Sequence, residues 1–124
     1  MTKIDYSDGT LTEGNAGVIT WENMANGDYG SSKIAAHIAD KTSHVYGNFG
    51  AGGSVTLYGS NNAADLDIAP SAGTWIALQD SLGNELTFTA EGGDLILENY
   101  YYICAEVTAG DGTTDLTVSI SAVS

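Results

Sequence analysis

Residues 116–122 alternate strictly between apolar and hydroxylated side chains, and this pattern limits the possible folds more than any other feature of the chain. A period of two places successive side chains on opposite faces of a β-strand, so one face is buried and the other meets solvent. Shorter alternations occur at Val18–Glu22 and Ser54–Ser60, and no long segment has helical periodicity. The predicted inward residues of the last strand are Leu116, Val118, Ile120 and Ala122, and the outward ones are Thr117, Ser119 and Ser121.

Turn residues separate these apolar segments at intervals of about 8–12 residues, which is typical of sandwiches and jelly rolls. We therefore predict an all-β protein, a β-sandwich of jelly-roll type with about 8–9 short antiparallel strands. The predicted strands are Val18–Glu22, His44–Phe49, Ser54–Ser60, Trp75–Gln79, Leu86–Ala90, Asp94–Glu98, Tyr101–Thr108 and Asp115–Val123.

The connections are predicted from their turn residues. Gly50–Gly53 is expected to form a hairpin turn, and the sequence AGDGT at 109–113 is expected to close a final hairpin. Ser31–Asp40 favours an extended strand or an irregular link. Asn61–Thr74 is a long loop that contains the only proline, and loops of this length are usually functional or disordered.

The chain of 124 residues is long enough for one domain with its own core. We expect residues 17–124 to form a single β-sandwich domain and residues 1–16 to form an extended N-terminal arm or a first edge strand. A frayed terminus is the alternative for the arm. Its first ten residues lack the apolar region of a signal peptide.

Charge excludes some classes of partner. The chain has 16 acidic residues, three lysines and no arginine, which gives a formal net charge of -13. Nucleic-acid binding requires basic side chains that neutralise phosphates, so we expect no nucleic-acid partner, and an anionic membrane would repel the chain. The acids serve either solubility or docking on a basic partner. Cys104, the only cysteine, lies in an apolar segment and is predicted to be a buried thiol.

No motif for catalysis or phosphate binding is present, and we predict a protein that is not an enzyme and has no cofactor. The glycine-rich segment at 47–54 precedes a strand and does not open a helix, so it is interpreted as a turn. His37 and His44 are expected to be structural or surface residues. Two pairs of acids, Asp65 with Asp67 and Asp111 with Asp115, are possible calcium ligands, but solvated turn acids are the favoured interpretation.

Partner contacts are predicted in three places: the N-terminal arm, the long loop and the run of three tyrosines. Consecutive tyrosines on a strand cannot all face the core, so at least one is exposed or covered by a partner. Together with Trp21 and Trp75, the tyrosines are candidates for a protein interface or a sugar-stacking platform. The predicted contact residues are Tyr6, Leu11, Asp65, Asp67, Ile68, Tyr100, Tyr101 and Tyr102.

Residues 44–123 resemble small structural proteins encoded in the head modules of tailed phages. The resemblance rests on a strand ending in Gly-Ser-Asn, a Trp-x-x-Leu-x-Asp strand, a Leu-Thr-Phe-Thr hairpin, a Tyr-Ile strand and a Gly-Asp-Gly turn. This chain departs from those proteins in its longer loop at 62–73, and at Tyr101 and Cys104, where the resemblance implies basic residues. The matching residues include Gly59, Ser60, Trp75, Leu78, Asp80, Tyr102 and Ile103.

A second, weaker resemblance is to galactose-binding-like jelly rolls, which share the Gly-Ser-Asn turn, the Trp strand and a late Arg-Tyr-Ile-Arg strand. Tyr101 and Cys104 stand at the two arginine positions, which weakens the expectation of a carbohydrate or headgroup ligand.

The phage resemblance implies a virion component of the capsid decoration (cement) type. Such a protein would fold in the host cytoplasm, bind the major capsid protein on the exterior of the shell and bridge capsomers, as a trimer or dimer. The alternative is a carbohydrate-binding module of a phage fibre or secreted protein.

Overall fold

The computed structural model describes residues 2–10, 16–35 and 40–123, which contain twelve β-strands and two short 3-10 helices. The helices are Ala63–Asp65 and Pro70–Ala72. The strands are β1 (Lys3–Ile4), β2 (Ser7–Thr10), β3 (Ala16–Met24), β4 (Tyr29–Gly30), β5 (Lys33–Ile34), β6 (Asp40–Asn48), β7 (Ser54–Ser60), β8 (Ile76–Ala77), β9 (Thr87–Phe88), β10 (Gly92–Ile96), β11 (Tyr102–Ala109) and β12 (Asp115–Val123).

The strands form two sheets that pack face to face, which confirms the predicted all-β sandwich. Sheet A has seven strands in the order β1-β4-β11-β7-β8, with β5 also paired to β11 and β9 also paired to β7. Sheet B has five strands in the order β10-β6-β12-β3-β2. The structure adds several two-residue strands to the predicted set, and β1 pairs with β4 in parallel whereas the other described pairs are antiparallel.

The core lies between the sheets and is built by the predicted alternation. In β12, Leu116, Val118 and Ile120 are buried and Ser121 is exposed, as predicted, whereas Thr117, Ser119 and Ala122 are half-buried. Trp21 and Met24 of β3 are fully buried, and they face Val55, Leu57 and Val107 of sheet A as members of one apolar cluster. Because each sheet contributes one apolar face, burial of these side chains holds the two sheets together.

The two predicted hairpins at Gly50–Gly53 and at residues 109–113 are wrong: both turns cross from one sheet to the other. The first connects β6 of sheet B to β7 of sheet A, and the second connects β11 of sheet A to β12 of sheet B. Alternation shows which side of a strand is buried, but both sheets bury one side, so it does not show which sheet a strand joins.

Asp111 ties these two crossings together. Its carboxylate accepts hydrogen bonds from Ala51 N at 2.9 Å, from Thr113 N at 2.9 Å and from Thr113 Oγ1 at 2.7 Å. The hydrogen bonds from Thr113 and Ala51 lower the pKa of Asp111 to about 2. The carboxylate is therefore ionised under ordinary conditions and joins the loops at this end of the sandwich.

The N-terminal segment takes part in both sheets. β1 lies at the edge of sheet A against β4, and β2 lies at the edge of sheet B against β3. Leu11, one of the predicted contact residues, lies outside the described residues.

Candidate functional site

The outer face of sheet A is covered by the segment that connects β7 to β8. Residues directly opposite each other on paired strands project to the same face. Cys104 is opposite Tyr58 and Glu106 is opposite Thr56, and these residues point away from the core side occupied by Val55 and Leu57. Cys104 and Glu106 are nevertheless buried, because residues 61–75 fold back across this face.

Asp65 anchors this segment and is buried, with 2% of its surface exposed. Its carboxylate accepts hydrogen bonds from Ser60 Oγ at 2.6 Å, from Thr74 N at 3.0 Å and from Thr74 Oγ1 at 2.7 Å. Desolvation raises the pKa of Asp65, but the hydrogen bonds from Ser60 and Thr74 outweigh it and the net pKa is lowered. Asp65, predicted as a partner contact, thus fixes the loop to the end of β7 and does not present its side chain to a partner.

Asp67 joins the loop to the segment that contains β5. Ser32 N donates to Asp67 Oδ1 at 3.0 Å, and Asp67 N donates to Ser32 Oγ at 2.8 Å. Asp67 adopts a left-handed conformation with φ of 58°, which an aspartate tolerates better than most residues. Lys3 Nζ lies 3.9 Å from Asp67 Oδ2, so the N-terminal strand, β5 and the loop meet at this residue.

Four exposed apolar side chains lie in the segments that meet here, and we call them the arm–loop patch. Ile34 is opposite Tyr102 on β11, and Ala35 N donates to Tyr101 O at 2.7 Å. Tyr101 N in turn donates to Asn61 Oδ1 at 2.8 Å, which ties the tyrosine to the start of the loop. The patch consists of Ile34 (47% exposed), Leu66 (47%), Ile68 (40%) and Tyr101 (45%).

The lysines of the chain are distributed unevenly around this patch. Lys41 is buried in sheet B, whereas Lys3 bridges Asp5 and Asp67, and Lys33 Nζ lies 5.4 Å from the ring centroid of Tyr6. Lys33 therefore lies in β5, which contributes Ile34 to the arm–loop patch, and Lys3 contacts the loop at Asp67. On a chain with a formal charge of -13, this is a region where local positive charge offsets the acids.

The predicted contact residues separate into exposed and structural groups. Ile68 and Tyr101 belong to the patch, and Asp67 and Tyr6 are half-buried beside it. The ring of Tyr6 packs edge-on against that of Trp21, with 6.4 Å between the ring centroids.

Tyr102 is buried, with its ring 4.8 Å from that of Tyr101. Tyr100 is half-buried, and its ring lies over Gly59, where a Cβ atom would come within 2.4 Å of the ring. The prediction that at least one tyrosine of the run is exposed is confirmed at Tyr101.

Sequence reasoning missed Ile34 and Leu66 as surface residues. Each is an apolar residue isolated among polar or small neighbours, in SSKIAA and AADLDIA, and that isolation is the available signal. Their exposure depends on the pairing of β5 with β11 and on the return of the loop across sheet A, which are long-range features.

The two tryptophans do not form a sugar-stacking platform. Trp21 is fully buried and its Nε1 donates to Ser31 O at 3.0 Å. Trp75 is 8% exposed and its Nε1 donates to Ile68 O at 3.0 Å, which supports the loop from beneath. Both indoles stabilise the fold, so of the aromatic surface on which the carbohydrate-binding alternative was based, only tyrosines such as Tyr101 are exposed.

The described residues offer little for metal binding or nucleophilic chemistry. Among them, no group of three or more His, Cys, Asp or Glu side chains could hold a metal ion. Cys104 is buried, and desolvation followed by the negative charge of Glu106 raises the pKa of its thiol well above the ordinary value. The carboxylates of Asp65 and Asp111, considered as calcium ligands, accept hydrogen bonds from the protein itself. His44 is exposed beside Tyr46, and His37 lies outside the described residues.

Helices long and apolar enough to cross a membrane are not found among the described residues.

Among known proteins, similarity to this chain is found in the fold and not in the sequence. No family model and no curated protein matches the sequence. Among solved structures, the chain is similar to the SPBc2 prophage-derived protein YomS, with 12% sequence identity and a TM-score of 0.60. That match covers 93% of this chain and all of YomS, so the two share a fold of the same extent.

A second structure, the K1 cleaved adhesin domain of Lys-gingipain from Porphyromonas gingivalis W83, matches with 12% identity and a TM-score of 0.41. It covers 98% of this chain and 84% of the adhesin chain.

Proposed function

We propose that this protein is a non-enzymatic structural component of a tailed-phage virion, of the capsid decoration type. It folds in the host cytoplasm, binds the major capsid protein on the exterior of the shell and bridges neighbouring capsomers, as a dimer or trimer. Nucleic acid and membranes are not among its partners. Two observations support the proposal: the resemblance of residues 44–123 to phage head proteins, and the fold shared with a prophage-derived protein.

The arm–loop patch is the observation that carries the proposal. Exposed apolar residues that lie together commonly mark an interaction surface, and here they come from β5, from the loop and from Tyr101, which directly precedes β11. The loop is fixed by Asp65 and Asp67, so the surface is largely pre-formed and little entropy is lost when it binds.

Many such contacts on one shell would act together. Each contact can be modest, because a domain that touches two capsomers binds the second at a high effective concentration. Cementing of this kind needs no reaction chemistry, in agreement with a site built from apolar side chains.

The test is co-sedimentation of the purified protein with phage shells assembled in its absence. We expect the wild type to pellet with the shells. The double variant Ile34→Ser/Tyr101→Ala should bind about ten- to a hundredfold more weakly, because two half-exposed apolar side chains lose their contact area.

Leu82→Ser is the matched control, since Leu82 is 84% exposed on the turn between β8 and β9 and should not matter. Failure of the wild type to bind shells would refute the proposed function. Equal binding by the wild type and the double variant would instead remove the patch as the contact surface.

A further inference from the structure

The open edge of sheet B is a second surface with the properties of a docking site. β10 ends the strand order of sheet B, and in the part of the chain that the structure describes no strand pairs with its other side. Natural edge strands are usually protected by charged side chains, lysine above all, by proline or by a bulge, and the charged residues at 91–98 are all acidic. The segment EGGDLILE at 91–98 contains no lysine or proline, and its pairing with β6 is regular.

This edge exposes two large apolar side chains, which is unfavourable for a strand that only meets solvent. Leu95 is 55% exposed and Leu97 is 54% exposed, so both present most of a large side chain to solvent. Beside them is a groove of about 320 Å³, bordered also by Asp40, Lys41, Thr42 and Ser121. A side chain from a partner that lies along β10 can enter this groove.

The charge at the edge selects the kind of partner. Glu91, Asp94 and Glu98 lie on or next to β10, and Asp94 Oδ1 accepts a hydrogen bond from Leu95 N at 2.8 Å. A second copy of the chain would bring the same acids against these, which costs free energy on molecules that each carry a formal charge of -13. A basic segment would instead pair with the acids.

We infer that β10 accepts an extended segment of another protein in which basic and apolar residues alternate, by addition of that segment as a sixth strand to sheet B. The backbone of the segment would hydrogen-bond to groups of β10 other than Leu95 N, which already donates to Asp94 Oδ1. Its apolar side chains would pack on Leu95 and Leu97, and its cations would meet the acids. We assign this segment to a protein of the capsid shell, and that assignment rests on the proposed function.

The probe is a synthetic peptide of about eight residues that alternates lysine and leucine, with binding followed by fluorescence anisotropy. Wild-type protein should bind it, and amide hydrogen exchange in β10 should slow. A peptide of the same sequence with N-methylated alternate amides has the same charge but cannot pair along a strand. We expect it to bind at least about tenfold more weakly.

Leu95→Lys should weaken peptide binding about tenfold or more, because it adds a cation at the contact and removes apolar area. Leu82→Lys makes the same change on an exposed turn and should leave the affinity unchanged. The inference is overturned by absence of binding, by equal binding of the N-methylated peptide, or by equal loss in the two lysine variants, since the last two indicate general charge attraction.

The peptide and shell experiments test the docking edge and the proposed function independently. Shell binding without peptide binding removes the edge as a docking site and leaves the proposed function in place. Peptide binding without shell binding keeps the docking edge and refutes its assignment to a capsid.

Discussion

Glu106 is a carboxyl group buried beneath the loop, with 6% of its surface exposed. Its Oε2 accepts a hydrogen bond from Ser71 Oγ at 3.1 Å, and it lies on the outer face of sheet A with Tyr58 and Cys104. Desolvation raises the pKa of Glu106 above its ordinary value of 4.5, and the hydrogen bonds to Ser71 only partly oppose this. The ionised form is therefore less stable in the folded protein than in the unfolded chain.

The raised pKa of Glu106 determines how the stability of the fold changes with pH. A carboxyl with a raised folded pKa contributes stability fully below its unfolded pKa, near 4.5, and the contribution is lost as pH rises through the folded value. Glu106→Gln should thus raise the melting temperature by about 1–3 °C near pH 7 and have little effect near pH 4. Thermal unfolding at the two pH values measures this, with the exposed Glu85→Gln as the control. A lower melting temperature for Glu106→Gln near pH 7 would show that the ionised carboxylate is stabilising.

Asp65 and Asp111 change the stability in the opposite direction with pH, since the pKa of each is lowered from its ordinary value of 3.8. Their contributions are present above that value and are lost as pH falls through the folded pKa. Each carboxylate fixes a loop: Asp65 holds the loop to the end of β7 through neighbours five and nine residues away, and Asp111 joins the two crossings, which are about 60 residues apart. Polar residues in turns therefore determine how the loops of this sandwich are arranged.

At the level of elements, the two sheets come into close contact where β3 meets β4. Gly30 lies against the indole of Trp21, and a Cβ atom at Gly30 would be 2.5 Å from Trp21 Nε1 and 2.7 Å from two ring carbons. Trp21 is fully buried and bonded to Ser31 O, so it cannot move aside easily. The absence of a side chain at Gly30 allows β4 to pack on the indole.

Gly30→Ala should therefore lower the free energy of unfolding by about 1–3 kcal/mol, the usual cost of overpacking a core. Urea unfolding followed by tryptophan fluorescence measures it. Gly112→Ala is the control, because a Cβ atom there has no neighbour within 4 Å. A change equal to that of the control would show that the sheets separate at little cost.

The elements that could be predicted from the sequence are those governed by local alternation. β7 and β12 match their predicted bounds, and β3, β6 and β11 overlap theirs, because each contains a short apolar segment bounded by turn residues. The sheet to which each strand belongs could not be predicted, and neither could the coverage of sheet A by residues 61–75. Both depend on contacts between distant residues, such as Ser32 with Asp67 and Ser71 with Glu106.

The candidate site was predictable in part for the same reason. Ile68 and Tyr101 could be selected as single residues, since an apolar residue in a polar loop and a run of tyrosines on a strand are local signals. That they lie with Ile34 and Leu66, beside Lys3 and Lys33, follows from the pairing of β5 with β11 and the bonds between Ser32 and Asp67.

For the whole molecule, charge is the dominant feature. A formal charge of -13 on 124 residues makes the folded protein repel itself, and the acids lie mainly in turns and at strand ends. Unfolding moves these charges apart, so the repulsion favours the unfolded chain at low ionic strength. The same acids attract a basic partner, which gives salt two opposite effects on this protein.

Raising NaCl from about 20 mM to about 500 mM shortens the screening length severalfold and should raise the melting temperature by a few degrees. Over the same range, binding to shells and to the lysine-leucine peptide should weaken, because there the screened interaction is attractive. Melts and binding titrations in matched buffers measure both slopes, and KCl should give the same result if screening and not a specific ion is responsible. Shell binding that stays constant while the melting temperature rises would assign attachment to the apolar patch, with the acidic surface serving solubility.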